Sequence, residues 1–294
     1  MAFNSYKVST LVLGLALSLA SAGSVASAQT SEELMNQAKA AYAAREYSAV
    51  GAAKSQEAAD LYAQAAKSAT DKKTQHLALV GQSEALYFVG AANTAAEVKI
   101  EKHLAGLEIA DIVVKAYGVT DVTNVPAADL ARLKALPADE LALVGEALYF
   151  RGINLGQWGN ANGVMESLGR WPELRSTMEV IVNLGVFGSH EYGAYRVLGR
   201  GYFKVPGLFG GSNKQAEKYL SAALKYTLAP GQVFSTNGYN NLYIAELYKD
   251  IGKEKEAKEI LEAFVAADAK VLNPPSYVEF LEAQKEAQVM LNDM

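Results

Sequence analysis

Apolar residues recur with a period near 3.6 from Thr30 to the C-terminus, and no run of alternating β-branched residues bounded by turns interrupts them. The pattern predicts an all-α chain. Thr30 and Glu33 form a capping-box signature that opens the first helix. Gly90, Gly118 and Gly252 stand where helices are expected to stop, and Pro126 and Pro172 suit first-turn positions. Asn93–Tyr117 reads as one long amphipathic helix, with Val98, Leu104, Leu107 and Ile112 as its expected buried stripe.

The hydrophobic pattern also repeats. "ALVGQSEALYFVG" at 78–90 returns as "ALVGEALYFRG" at 142–152, so two helices share one design. A tetratricopeptide pattern follows, in which a small residue lets paired helices approach and an aromatic residue fills the groove beside it. Tyr195, Leu198, Gly199 and Tyr202 match its first helix, and Ala216 with Leu220 its second. Asn241, Ile244, Ala245 and Tyr248, then Ala257 and Leu261, match again, and weaker copies begin at Met35, Leu77 and Leu141. The expected architecture is tetratricopeptide-like helical hairpins packed into a superhelix that could enclose a pore or cavity. Two segments depart from the pattern: a connector at 118–140 with a short helix near Ala127–Ala135, and a Gly- and Asn-rich stretch at 152–171, expected to form a loop carrying Trp158 and Trp171.

The start of the chain has a different character. Lys7 precedes an uncharged apolar run, Leu11–Ala22, and Ala26-Ser27-Ala28 supplies small residues for cleavage. This reads as a secretory signal over 1–28, leaving one helical-repeat domain over 29–294, exported to the periplasm or beyond. The run is too short to span a membrane. Without cysteine, the chain forms no disulfide and carries no lipid anchored on cysteine. The net charge of −5, one unit more negative without Lys7, disfavours a nucleic-acid partner.

Catalytic and metal chemistry find little support. His76, His103 and His190 lie far apart and read as surface or capping histidines; no serine stands in an activating motif, and no cofactor motif occurs. Gly207, Gly210, Gly211 and Lys214 evoke a phosphate loop, but the preceding segment is helical and Ser212 with Gln215 makes a capping box. Aromatic density remains, with Phe187, Tyr192, Tyr195, Tyr202, Phe203 and Phe209 close together. The candidate ligand or partner residues are Tyr149, Phe150, Trp158, Phe203, Leu208 and Phe209, whereas Tyr195 and Tyr202 occupy packing positions. The step from Tyr202 to Ala216 is fourteen residues where Tyr248 to Ala257 takes nine, so five residues, including an apolar Gly-Leu-Phe tip, are inserted.

The segment 192–224, "YGAYRVLGRGYFKVPGLFGGSNKQAEKYLSAAL", resembles the signature of the T component of tripartite ATP-independent periplasmic (TRAP) transporters, the TatT family. "KIEKHLAGLEIADIVVKAYG" is similar to that family's long helix, and Asn273 with "EAQKEAQVML" to its C-terminal helix. The resemblance implies tetratricopeptide-like pairs, a cavity or pore in the protomer, a homotrimer, and docking of a periplasmic solute-binding protein to pass on an apolar small molecule. It brings no catalytic residue. Family members are often lipoproteins, and the missing cysteine points here to a freely diffusing periplasmic form. The expected function is therefore non-enzymatic binding and assembly. The alternative is a tetratricopeptide scaffold that takes extended peptides in envelope assembly; an enzyme has no supporting constellation.

Overall fold

The computed structural model describes residues 29–186 and 190–294. The secretory signal and Phe187 lie outside the described residues. Among the described residues thirteen α-helices follow one another: α1 (Ser31–Ala43), α2 (Ala49–Ser68), α3 (Lys72–Ala92), α4 (Ala96–Ala116), α5 (Ala127–Lys134), α6 (Ala138–Asn162), α7 (Val164–Leu184), α8 (Gly193–Lys204), α9 (Asn213–Tyr226), α10 (Gly238–Asp250), α11 (Glu254–Val265), α12 (Ala269–Leu272) and α13 (Tyr277–Asn292). Among the described residues there is no strand, only an isolated bridge between Leu228 and Ser235, so the chain is all-α.

Local chemistry sets the ends. Thr30 accepts from the Glu33 amide while the Glu33 carboxylate accepts from the Thr30 amide, which completes the expected capping box. Gly118 and Gly252 adopt positive φ just past α4 and α10, as helix stops do. Gly90 instead lies within α3, and Pro126 is the residue that precedes α5 rather than one in its first turn. Pro172 is inside α7, on an exposed position where its missing donor costs least.

The helices pack as neighbouring pairs: α1 on α2, α3 on α4, α6 on α7, α8 on α9, and α10 on α11, with α4 also lying along α6 and α13 closing over α10 and α11. Three apolar clusters run along the chain, one under α1–α3, one centred on α6 and α7, and one under α9–α13. The repeat positions behave as their spacing predicts: Leu198, Ala216, Leu220, Ile244, Ala245, Ala257 and Leu261 are wholly buried. A Cβ on Gly199 would lie 2.5 Å from Leu220 Cγ and 3.0 Å from the Leu220 amide nitrogen, so α9 itself would have to move. Gly199→Ala should therefore destabilise the fold by about 1–2 kcal/mol in urea titration. Overpacking costs about 1–3 kcal/mol, and alanine's better helix propensity returns up to about 1 kcal/mol of it. A neutral or stabilising result would mean that the two helices are not locked at this point.

Two expectations need correction. The stripe on α4 is displaced: Leu104 and Ile112 are exposed, and the buried face is His103, Gly106, Ala110, Val113 and Val114. Because α4 is clamped between α3 and α6, small and polar residues suit the contact better than bulky ones. The stretch 152–171 is not a loop. It is helical through Asn162 and again from Val164, broken only at Gly163, whose φ of 116° few other residues could adopt. Two of its glycines are contact positions, Gly152 against Met178 and Gly156 against Leu174 of α7.

Buried polar side chains fix how the middle helices align. Ser83 Oγ donates to the Gly106 carbonyl at 2.7 Å, and Asn154 Nδ2 donates to the Phe150 carbonyl at 2.9 Å and to Ser83 Oγ at 3.2 Å. His103 Nδ1 lies 3.1 Å from Asn154 Oδ1, and burial pushes its pKa down to about 4, which keeps the ring neutral. Arg151 ties α4, α6 and α7 together through Asp111 at 2.9 Å and Glu173 at 2.6 Å. With every member partnered, these networks favour one register among otherwise exchangeable apolar helices.

Candidate functional site

The inserted segment after α8 is a built structure rather than slack chain. Pro206 leads into a 3-10 turn over Gly207–Phe209; the Phe209 and Gly211 amides both donate to the Pro206 carbonyl, and the Ser212 amide donates to the Tyr202 carbonyl at 2.8 Å. Gly210 has φ 94°, and a Cβ on Gly211 would strike the Val205 carbonyl oxygen at 1.6 Å, so the turn requires glycine there. Ser212 then caps α9 by accepting from the Gln215 amide. The backbone is thus held from both sides while the tip faces outward: Leu208 is 91 % exposed and Phe209 49 %. Phe203, half-buried at the end of α8, carries the Lys204 ammonium 4.8 Å from its ring centre.

The other three candidates lie elsewhere. Trp158 is half-buried on α6 beneath the Arg170 guanidinium, 5.3 Å from its ring. Tyr149 and Phe150 are buried, Tyr149 at the edge of the molecule's interior. The six candidates therefore form an exposed tip (Leu208, Phe209) with the half-buried Phe203 at its base, an isolated indole and an interior pair.

That interior is the feature sequence reasoning missed. Tyr42 of α1, Tyr47 of the following loop, Tyr87 of α3, and Tyr239 and Tyr243 of α10 are all half-buried, and burial raises the pKa of each as well as that of Tyr149. The first five are thus partly open to water yet strongly desolvated by their surroundings. The rings also act on one another, since Tyr47 and Tyr239 are hydrogen-bonded and Tyr149 and Tyr243 both raise the Tyr87 phenol. Arg45 closes one side, with Nε 2.8 Å from Glu279 Oε1 and Nη2 3.0 Å from Oε2, joining the α1–α2 loop to α13. Arg200 stacks 4.3 Å over Tyr243 and pairs with Glu246.

His190, Glu191 and Tyr192 all adopt left-handed φ, between 51° and 62°, a strained run that holds three side chains at this boundary. His190 Nε2 lies 2.6 Å from Glu146 Oε2, and the imidazole stacks on Tyr149 at 4.4 Å. Glu191 accepts from Asn237 and Asn273, which ties the run to the start of α10 and to the segment before α13. Arg196, buried, donates to Tyr149 Oη at 2.9 Å, Asn240 Oδ1 at 3.1 Å and the His190 carbonyl at 3.3 Å. None of the three histidines is a surface residue: His76 and His103 are buried and His190 is half-buried. A single imidazole in an apolar helical pattern carries no sign of which partner it will find, which is why spacing alone misplaced them.

A second recess, of about 860 Å³, opens between α1 and α2 on the outside, where Gln37, Lys54, Glu57 and Asp60 surround Ala41 and Leu61. Among the described residues no group of three or more His, Asp or Glu side chains is placed to hold a metal ion, and no helix is long and apolar enough to cross a membrane. Neither a protein-family model nor a curated protein matches this chain.

Proposed function

We propose that this protein is a non-enzymatic periplasmic binding and assembly protein of the TRAP T-component kind. In this reading it holds a small organic molecule with a substantial apolar body in its tyrosine-lined interior and meets a solute-binding partner at the insertion after α8. The observation that carries the reading is a cluster of six tyrosines from α1, the α1–α2 loop, α3, α6 and α10 that are desolvated by burial and lie within one another's electrostatic reach. Such rings offer a ligand apolar faces and hydroxyl handles at once. The insertion supports the partner half, because apolar side chains presented on a rigid turn lose little entropy on docking.

Native mass spectrometry of protein purified from its own envelope tests the whole reading. A retained small organic mass, a trimer of the chain, or a co-purified solute-binding protein supports it, and a bare monomer with none of these overturns it. Phe209→Ala tests the insertion separately. With the ring half in solvent, truncation should change unfolding free energy by less than about 1 kcal/mol, while capture of the partner is lost. A loss of about 3–5 kcal/mol would instead make Phe209 a core residue. The outer recess between α1 and α2 favours a second reading, a scaffold for an extended peptide, since charged and amide side chains rim an apolar floor there.

A further inference from the structure

The sequence Glu-Ala-Leu-Tyr-Phe-x-Gly occurs twice, as 84–90 on α3 and as 146–152 on α6, and the two helices pack against each other. In each copy Glu, Tyr and Phe stand at i, i+3 and i+4, which puts all three on one helix face. The α6 copy shows what such a face holds. Glu146 bonds the His190 imidazole at 2.6 Å, Tyr149 stacks on it at 4.4 Å and 11°, and Phe150 meets it edge-on at 4.8 Å and 80°. Carboxylate, ring face and ring edge together make a cup for one flat, basic nitrogen group.

The α3 copy differs in two ways: its phenylalanine is taken, Phe88 being buried against Tyr42 at 6.2 Å and Tyr47 at 4.9 Å with the Arg45 guanidinium 5.8 Å from its ring, and its carboxylate is unclaimed beside the half-buried Tyr87. Among the described residues no hydrogen bond or ion pair reaches Glu84, although it is only half-buried and so borders accessible space. The cations within electrostatic range are committed elsewhere, Arg45 to Glu279 and His190 to Glu146. Glu146 and Glu279 add negative charge near it, and the Tyr42, Tyr62 and Tyr149 rings lie within its field. An unpaired carboxylate in a desolvated aromatic setting is unfavourable, and burial accordingly raises the Glu84 pKa. A cation placed there would gain both the carboxylate and the Tyr87 ring.

We infer that Glu84 and Tyr87 seat the basic nitrogen group of a small-molecule ligand, an amine, guanidine or imidazole, as Glu146 and Tyr149 hold the His190 side chain on α6. This rests on the interior being a ligand site and adds the chemistry of the ligand, a cationic nitrogen head beside an apolar body.

The test uses three probes of one shape, benzylammonium, benzyl alcohol and benzoate, titrated calorimetrically into the full chain with the tyrosine NMR signals followed in parallel. Benzylammonium should bind at least about tenfold more tightly than benzyl alcohol, the difference one charge-assisted hydrogen bond provides, and benzoate more weakly than either. Glu84→Gln should abolish the ammonium advantage and leave benzyl alcohol unchanged. Equal binding of ammonium and alcohol, or an ammonium advantage that survives in the variant, overturns the inference and leaves the interior standing as a ligand site. If no probe of any charge moves the interior tyrosine signals, both ideas fall. The comparison of probes on the unaltered protein decides the matter even if the variant misfolds.

Discussion

Replacing Trp171 by alanine is expected to lower the unfolding free energy by about 3–5 kcal/mol, the cost of truncating a buried aromatic side chain. The indole is 3 % exposed and meets Tyr202 edge-on at 5.2 Å, and Tyr202 in turn stacks on Tyr219 of α9 at 5.8 Å. Gly201 makes the room: a Cβ there would lie 2.1 Å from Trp171 Cζ3. The Trp171–Tyr202–Tyr219 chain of rings therefore joins α7, α8 and α9, and a Cβ on Gly210 at the foot of the insertion would come within 3.7 Å of Trp171 Nε1. That nitrogen is buried without an acceptor, so Trp171→Phe loses volume but no hydrogen bond and should cost only about 1–2 kcal/mol. Urea titration of both variants checks the pair. A loss below about 1 kcal/mol for alanine would show that the aromatic stack is incidental. Because the turn after α8 stands on this ring, the alanine variant should also weaken partner capture without any change to Leu208 or Phe209.

How much of this was legible in the chain follows from what each signal encodes. Gly199 and Leu220 were readable because a small residue opposite a bulky one, at fixed spacing, has few uses other than close helix packing. The insertion was readable by length alone, since a repeat with a normal step elsewhere exposes its own extra residues. The stripe on α4 was misplaced because bulk marks burial only where one face has one neighbour, and α4 has a helix on each side, so Gly106 and Ala110 were the informative residues. Composition alone suggests a loop at Gly152 and Gly156, although each is a point of helix contact. The tyrosine interior was hidden for another reason. Tyr42, Tyr87, Tyr149 and Tyr243 each follow ordinary helical spacing, and nothing local states that four separate helices turn those faces toward each other. The duplicated 84–90 and 146–152 segments were visible as a repeat, but their differing occupancy depends on His190, which arrives through a strained turn that no pattern announces.

Arg45→Ala should cost about 2–3 kcal/mol and loosen the two ends of the chain together. The guanidinium holds Glu279 through two hydrogen bonds and donates a third, at 2.8 Å, to the Pro275 carbonyl, across 234 and 230 residues of sequence. Exposed pairs contribute at most about 1 kcal/mol, and severing a fully buried pair costs about 3–5 kcal/mol. With side-chain exposures of 10 % and 24 % this pair lies between those limits. Arg45 also covers Tyr42 at 4.5 Å, so its loss removes packing as well as charge. Hydrogen exchange should quicken at the α1–α2 loop and at the first turn of α13 together, while α8 and α9 keep their protection. A double-mutant cycle with Glu279→Ala should return about 1–2 kcal/mol of coupling, and coupling near zero would mean that the contact does not close the molecule. The variant carries one further consequence: Arg45 is one of two groups whose charge opposes the effect of burial on Glu84. Without it the Glu84 carboxyl holds its proton to higher pH than in the unaltered protein.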